Sequence, residues 1–303
     1  MKAQQCSNCS AVVELEGHVF SSACPFCDSP LVDTELVAAS PPDVVVSFDV
    51  DKTQAARLLR GYLEEQWLAP NALRRAAKAE SVRPVFVPFF VYNAVCSSEF
   101  TCRVGIYWYR TETYTTTVNG KTVVRTRQVR ETDWHPFAGT HARRWYDHLV
   151  SASAGVLESE ANALEPFDLG RSQPYAYVLT GGVEAEVPTI EREAALKTAE
   201  QELQQLAYSA IASGHLPGDV QRGLETRSSV EIEAVRMALL PVWVAAFRSG
   251  EITVRLLVNG QTGEVVGDVP KDKMKVGCLF AAGFGLVALC ALAVVALASL
   301  EGL

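Results

Sequence analysis

The sequence predicts an α+β fold in three parts: an N-terminal zinc ribbon, a body of helices on antiparallel sheet, and a single C-terminal transmembrane helix. Three observations lead there. Cys6, Cys9, Cys24 and Cys27 form two Cys-x-x-Cys pairs at the start of the chain. The body mixes runs of β-branched and aromatic residues with one long helical pattern, the strands meeting at Asn-Gly turns. Val276 to Leu300 is 25 residues without a charged side chain. At 303 residues the chain is long enough for two or three domains. Hydrophobic residues at 49% exclude a wholly disordered polymer, and a net charge of -8 excludes nucleic-acid coating by the molecule as a whole.

Residues 1–36 read as the ribbon. The two cysteine pairs are separated by 14 residues, a spacing that lets two tight knuckles present four thiolates to one ion. Val12-Val13 and His18-Val19-Phe20 read as short strands around Gly17. A segment of about 30 residues buries too little apolar surface to fold unaided, so one structural Zn2+ would supply most of its folding free energy. Two disulfides in an exported protein are the bland alternative, disfavoured because no cleavable signal peptide is read ahead of the cysteines. Iron remains an alternative metal; zinc is preferred because a structural role needs no electron partner.

Residues 37–43, with Ser40-Pro41-Pro42, form a linker into a body spanning 44–270. Val44 to Val50 is strand-like, and Asp51 with Gln54 makes a capping box for a helix whose buried face holds Ala55, Leu58, Leu59, Tyr62 and Leu63. A short helix is expected over Ala72 to Ala79. Val85 to Ala94 is an apolar strand that Pro88 assigns to an edge or bulge. Arg110 to Val118 and Lys121 to Glu131 flank Asn119-Gly120 as a long hairpin. Thr189 to Ser213 is the clearest helix, with Leu196, Ala199, Leu203, Leu206, Ala207 and Ala210 on one face and Gly214 as its stop. Ala234 to Phe247 pairs with Ile252 to Val258, and Asn259-Gly260 leads into Glu264 to Gly267. Val82-Arg83, Pro88 and Val91 recur as Val235-Arg236, Pro241 and Val244, which is either an internal two-fold repeat or coincidence between two apolar strands.

Residues 276–300 would form a helix about 37 Å long, enough to cross a hydrocarbon core of about 30 Å. A buried core helix is the competing reading. Lys271, Lys273 and Lys275 precede the span and Glu301 follows it, which the positive-inside rule converts into a cytoplasmic body. The expected localisation is therefore the bacterial inner membrane, single-pass, with reduced thiolates on the cytoplasmic side.

The paired knuckles, VRPVFVPFFVYNA at Val82 to Ala94, ALEPFDLGRSQPYAYVLTGGVEAE at Ala163 to Glu186, and LPVWVAAF with VNGQTGEVVGDVP at Leu240 to Pro270 resemble a bacterial family of zinc-ribbon membrane proteins. That family is labelled TFIIB-type zinc ribbon, or replication-restart-helicase-like. The resemblance covers nearly the whole chain. It implies a membrane partner of SPFH-domain and phage-shock proteins in envelope stress. The helicase label finds no support, since no Gly-x-x-x-x-Gly-Lys-Ser/Thr phosphate loop is present.

Catalytic candidates are sparse. Asp133, His135, His141, Asp147 and His148 could serve a hydrolytic metal site, but no His-Glu-x-x-His helix frames them. Cys96 and Cys102 would face the same side of one strand, and Thr180-Gly181-Gly182 is a weak phosphate-turn signal. Arg125, Arg127, Arg130 and Arg143 with Trp134 read as the exposed face of a hairpin, with anionic lipid contact a weaker alternative. The expectation is a non-enzymatic adaptor that binds the bilayer through residues 276–300 and assembles protein partners there. Nucleic acid is disfavoured as a partner, because the first 33 residues carry Lys2 against Glu14, Glu16, Asp28 and Asp33. A membrane-tethered nucleic-acid-binding or transcription-related protein is the runner-up.

Overall fold

The computed structural model describes residues 2–5, 12–15, 19–23, 30–32, 41–70, 82–118, 121–214, 216–249, 252–272 and 274–275. Near the start lie β1 (Lys2–Gln5), β2 (Val12–Leu15), β3 (Val19–Ala23) and β4 (Pro30–Val32). β5 (Val44–Val45), α1 (Lys52–Glu65), β6 (Val82–Val118) and β7 (Lys121–Ser151) follow. Then come α2 (Glu158–Leu164), β8 (Gln173–Pro174), β9 (Glu184–Glu186) and α3 (Arg192–Gly214). β10 (Val220–Ser249), β11 (Ile252–Asn259) and β12 (Val265–Val266) complete the order.

The main sheet runs β12-β11-β10-β6-β9-β3-β4, with β7 on β6, β5 on β10 and β8 on β5. It is mixed. β10 and β11 are antiparallel, from Val242 opposite Asn259 to Ser249 opposite Ile252, whereas β5 lies parallel to β10 and β9 parallel to β6. This replaces the expected body of helices on antiparallel sheet. Length is the physical reason: β6, β7 and β10 hold 37, 31 and 30 residues, so runs read as separate short strands are continuous.

The expected zinc ribbon is corrected as well. β1 and β2 pair in a sheet of their own, while β3 and β4 join the main sheet through β9, so the described strands of residues 1–36 do not close into one separate sheet. Among the described residues, no group of three or more His, Cys, Asp or Glu could hold a metal ion. Cys6, Cys9, Cys24 and Cys27 lie outside the described residues. The expected transmembrane helix and single-pass inner-membrane localisation fall on a further finding: among the described residues, no helix is long and apolar enough to cross a membrane. α3, at 23 residues, is long enough but carries Arg192, Glu193, Lys197 and Glu200. Residues 276–300, and the helix expected over Ala72 to Ala79, lie outside the described residues.

The chain divides into two compact units. Unit 1 takes residues 1–89, 151–190 and 237–303. Its α1 starts on the expected capping box: Asp51 Oδ1 accepts from the Gln54 amide at 2.8 Å, and Gln54 Oε1 accepts from the Asp51 amide at 2.8 Å. Ala55, Ala56, Leu59 and Leu63 then bury against Trp243, Val254, Leu256 and Val258. Leu58, expected inside, is 38% exposed. Pro88 sits inside β6 rather than on an edge strand. Val85 and Phe86 pair with β9, and the Pro88 carbonyl accepts from the Ala152 amide at 3.0 Å, so the proline falls where the β9 ladder ends.

Unit 2 takes residues 90–150 and 191–236. α3 buries Ala195, Ala199, Leu203, Ala207 and Ile211, a face rotated from the expected one, with Leu206 40% exposed. β6 buries every second residue from Tyr92 through Ala94, Cys96, Ser98, Phe100, Cys102 and Val104, the period of a half-covered strand. Gln221 Nε2 donates to the Ala212 carbonyl at 2.6 Å, and His148 Nε2 lies 3.0 Å from Glu202 Oε2, tying α3 to β10 and β7.

Candidate functional site

Unit 2 carries a β-ribbon that outruns its sheet. β10 enters beside Gly105, whose carbonyl accepts from the Asp219 amide at 2.9 Å. Ser98 Oγ meets Ser228 Oγ at 2.8 Å, so β10 runs antiparallel to β6 and leads away from the ribbon. Beyond Gly105, β6 has, among the described strands, β7 alone beside it. The seven threonines among residues 111–126, with Tyr107, Tyr109 and Val124, favour this extended form, since β-branched and aromatic side chains suit a pleated surface.

Cross-strand contacts fix the register and separate two faces. Arg127 Nε donates to Glu112 at 2.8 Å and Arg110 Nε to Glu131 at 2.9 Å on one face. On the other, Gln128 Nε2 donates to Thr111 Oγ1 at 3.2 Å and the Arg130 guanidinium lies 4.3 Å from the Tyr107 ring centre. The charged face thus holds Trp108, Arg110, Glu112 and Tyr114 from β6 and Arg125, Arg127, Val129, Glu131 and Asp133 from β7. Arg127 also covers Tyr114 at 5.5 Å, and Arg222 of β10 stacks on Trp134 at 3.9 Å. The Arg127 guanidinium holds the Glu112 carboxyl below the usual carboxylate range, first by its hydrogen bond and then by charge. Trp108 at 43%, Tyr109 at 61% and Val124 at 66% remain exposed.

Nearer the sheet, Glu99, Thr101, Thr140, Glu225 and Arg227 line an open trough of about 600 Å³ across the three strands. Its walls mix these polar and charged side chains with Phe100, Ala138 and Gly139. The arginines expected on an exposed hairpin face are exposed, but they divide between faces, Arg125 and Arg127 on the charged face and Arg130 on the other. On the charged face the field is balanced, because Glu112, Glu131 and Asp133 offset Arg110, Arg125 and Arg127 there. Such balance suits neither phosphate nor anionic lipid as the main contact.

The structure does not gather the histidine cluster. Asp133 and His148 stand 15 positions apart on β7, about 50 Å along an extended strand. Asp147, at φ 55, bonds Arg236 at 2.7 Å, and its amide donates to Asn93 Oδ1 at 2.9 Å. Cys96 and Cys102 are free and buried, and burial pushes both thiols up, which disfavours the nucleophilic thiolate. Thr180-Gly181-Gly182 is a tight turn into β9: the Thr180 carbonyl accepts from the Val183 amide at 3.0 Å, and Gly182 has φ 81. Sequence reasoning missed the length of the ribbon and the Arg222 stack. The run of threonines and aromatics from Tyr107 to Thr126 was the available signal for the first; nothing local pointed to the second.

The chain is similar to the uncharacterized protein YdjG of Bacillus subtilis (strain 168), at 24% identity over 250 residues, covering 79% of this chain and 67% of that protein. No family model matches the chain. No solved structure matches it either.

Proposed function

We propose that the protein is an adaptor that assembles protein partners, with the β-ribbon of unit 2 as its contact surface. The observation that carries this is the exposure of Trp108, Tyr109 and Tyr114 beside arginines on a ribbon with no covering element among the described residues. Tyr, Trp and Arg are the side chains that protein interfaces use as anchors, because they combine large contact area with little entropy to lose. By the resemblance drawn from Val82 to Ala94 and Leu240 to Pro270, the partner class is the SPFH-domain and phage-shock proteins. One zinc ion held by Cys6, Cys9, Cys24 and Cys27 belongs to the same proposal. Its support is the spacing of the pairs, each of which falls in sequence between two paired or sheet-joined strands, β1 and β2 or β3 and β4.

The test is co-purification of the full chain with an SPFH-domain or phage-shock protein of the same genome. A variant combining Trp108→Ser, Tyr109→Ser and Tyr114→Ser is expected to lose the partner while keeping the thermal midpoint of unit 2. Equal recovery by both chains would remove the ribbon from the proposal, and no recovery by the wild type would remove the partner class. Metal analysis of the same preparations should find one zinc per chain, lost from a Cys6→Ser, Cys9→Ser variant.

A further inference from the structure

The outer edge of β7 carries charges in an order that the fold of one chain does not use up. On the charged face of the ribbon, successive positions read Arg125, Arg127, Val129, Glu131, Asp133: two cations, a neutral centre, two anions. β7 pairs with β6 on one side and, among the described strands, with nothing on the other. Arg127 and Glu131 have partners within the chain in Glu112 and Arg110. Arg125 and Asp133, at the two ends of the pattern, make no ion pair among the described residues.

We propose that β7 is the interface with a second copy of this chain, the two strands pairing antiparallel edge to edge about a two-fold axis at Val129. Antiparallel pairing about that centre sets Val129 against its own copy. It also sets Arg127 against Glu131 and Arg125 against Asp133, each twice by symmetry. On the opposite face the same register sets Thr126 against Thr132 and Val124 against Trp134, and Gln128 against Arg130. Opposite charges directly across a ladder stabilise it and like charges destabilise it, so the pattern selects one register. Moving the centre to Gln128 leaves only Arg125 against Glu131. Moving it to Thr126 sets Arg125 against Arg127, and moving it to Thr132 sets Glu131 against Asp133. The backbone permits the favoured register. Every pair it forms joins residues of the same parity, so whichever alternate set turns its N–H and C=O outward meets its own kind across the axis.

Charges on an edge strand ordinarily keep other strands away. Here their antisymmetric order excludes foreign edges while matching a second copy, as an isologous contact requires. The proposal rests on the residues of β7 and stands or falls apart from the adaptor reading.

The test co-expresses full-length chains bearing two different affinity tags and measures how much of one is captured with the other. Wild type is expected to capture wild type. R125E/R127E places four anions around Val129, and E131R/D133R places four cations, so each variant should capture itself at least about tenfold less well. Mixing the two variants should restore capture, as should the fourfold exchange R125E/R127E/E131R/D133R, which inverts the order without losing its symmetry. Far-UV circular dichroism of each chain checks the fold. Independently, Val129→Cys in the otherwise unchanged chain should give a diamide-dependent dimer on a non-reducing gel that Thr122→Cys does not give. Absence of wild-type self-capture, undiminished self-capture by either double reversal, or failure of both the mixed pair and the Val129→Cys cross-link overturns the proposal.

Discussion

Replacing Asn259 by alanine should cost unit 1 about 3–4 kcal/mol, although the side chain touches no candidate site. Asn259 is fully buried at the end of β11. Its Nδ2 donates to the Leu164 carbonyl at 2.8 Å and to the Pro166 carbonyl at 3.0 Å. Its Oδ1 accepts from the Gln261 amide at 2.8 Å and the Thr262 amide at 3.0 Å. One side chain therefore closes the turn after β11 and fastens it to the segment leaving α2. A typical bond contributes about 0.5–1.5 kcal/mol net, and each buried group left without a partner costs about 1–3 kcal/mol. A water entering the vacated space restores part of this, which sets the figure below the full sum. For a unit of this size the loss lowers the melting midpoint by about 10 °C. Thermal unfolding followed by circular dichroism, on wild type and Asn259→Ala, is the assay. Asn259→Asp sharpens it: the introduced carboxyl keeps the acceptor but faces two carbonyls with its other oxygen, so it should be as damaging at neutral pH and less so on acidification. A loss below about 1 kcal/mol for Asn259→Ala would refute the view that buried amide bonds hold this turn.

Leu203 is fully buried at the centre of the α3 face, so Leu203→Ala should destabilise unit 2 by about 2–5 kcal/mol in urea unfolding, and a value near that of an exposed site would contradict the helix packing. The Glu112 carboxyl is held below its ordinary value by Arg127, so its folded-state value is depressed. Its contribution to the ribbon is present above the usual carboxylate range and is lost as pH falls through the depressed value. An NMR titration of Glu112 should show that depression in wild type, and Arg127→Gln should abolish it; an unchanged titration in the variant would sink the assignment.

Local chemistry carried much of the element pattern. The Asp51/Gln54 box, the pairing of β10 with β11 and the turn at Asn259-Gly260 could all be read because each depends on residues within a few positions of one another. What could not be read was non-local. The parallel contacts of β5 with β10 and β9 with β6 join residues far apart in sequence, and no periodicity encodes which strand sits beside which. Pro88 misled for the same reason, since its tolerance depends on β9 ending beside it. The charged face of the ribbon was visible as a basic stretch with Trp134. Its antisymmetric order acquires meaning only once β7 is known to be an edge strand. The α3 face was misplaced because Leu206 and Ala210 share the apolar spacing of Ala207 and Ile211, and only the sheet beneath decides which stripe is covered.

The ribbon also differs in energetics from the rest of unit 2. Between Tyr92 and Val104, β6 has a strand on either side and a buried face, whereas beyond Gly105 it has, among the described residues, one partner strand and two exposed faces. Two strands in water are marginally stable at best, because their ladder is offset by ordering entropy with little apolar burial to add. The stacks of Arg127 on Tyr114 and Arg130 on Tyr107, with the Arg127–Glu112 and Arg110–Glu131 pairs, act where a core is missing, each contributing modestly at exposed sites. Such a segment gains more from an added strand than the sheet behind it would, since burial of its exposed aromatics and pairing of its open edge would come together. A contact surface with these properties belongs at the ribbon and not at the trough, whose walls are already supported by three strands.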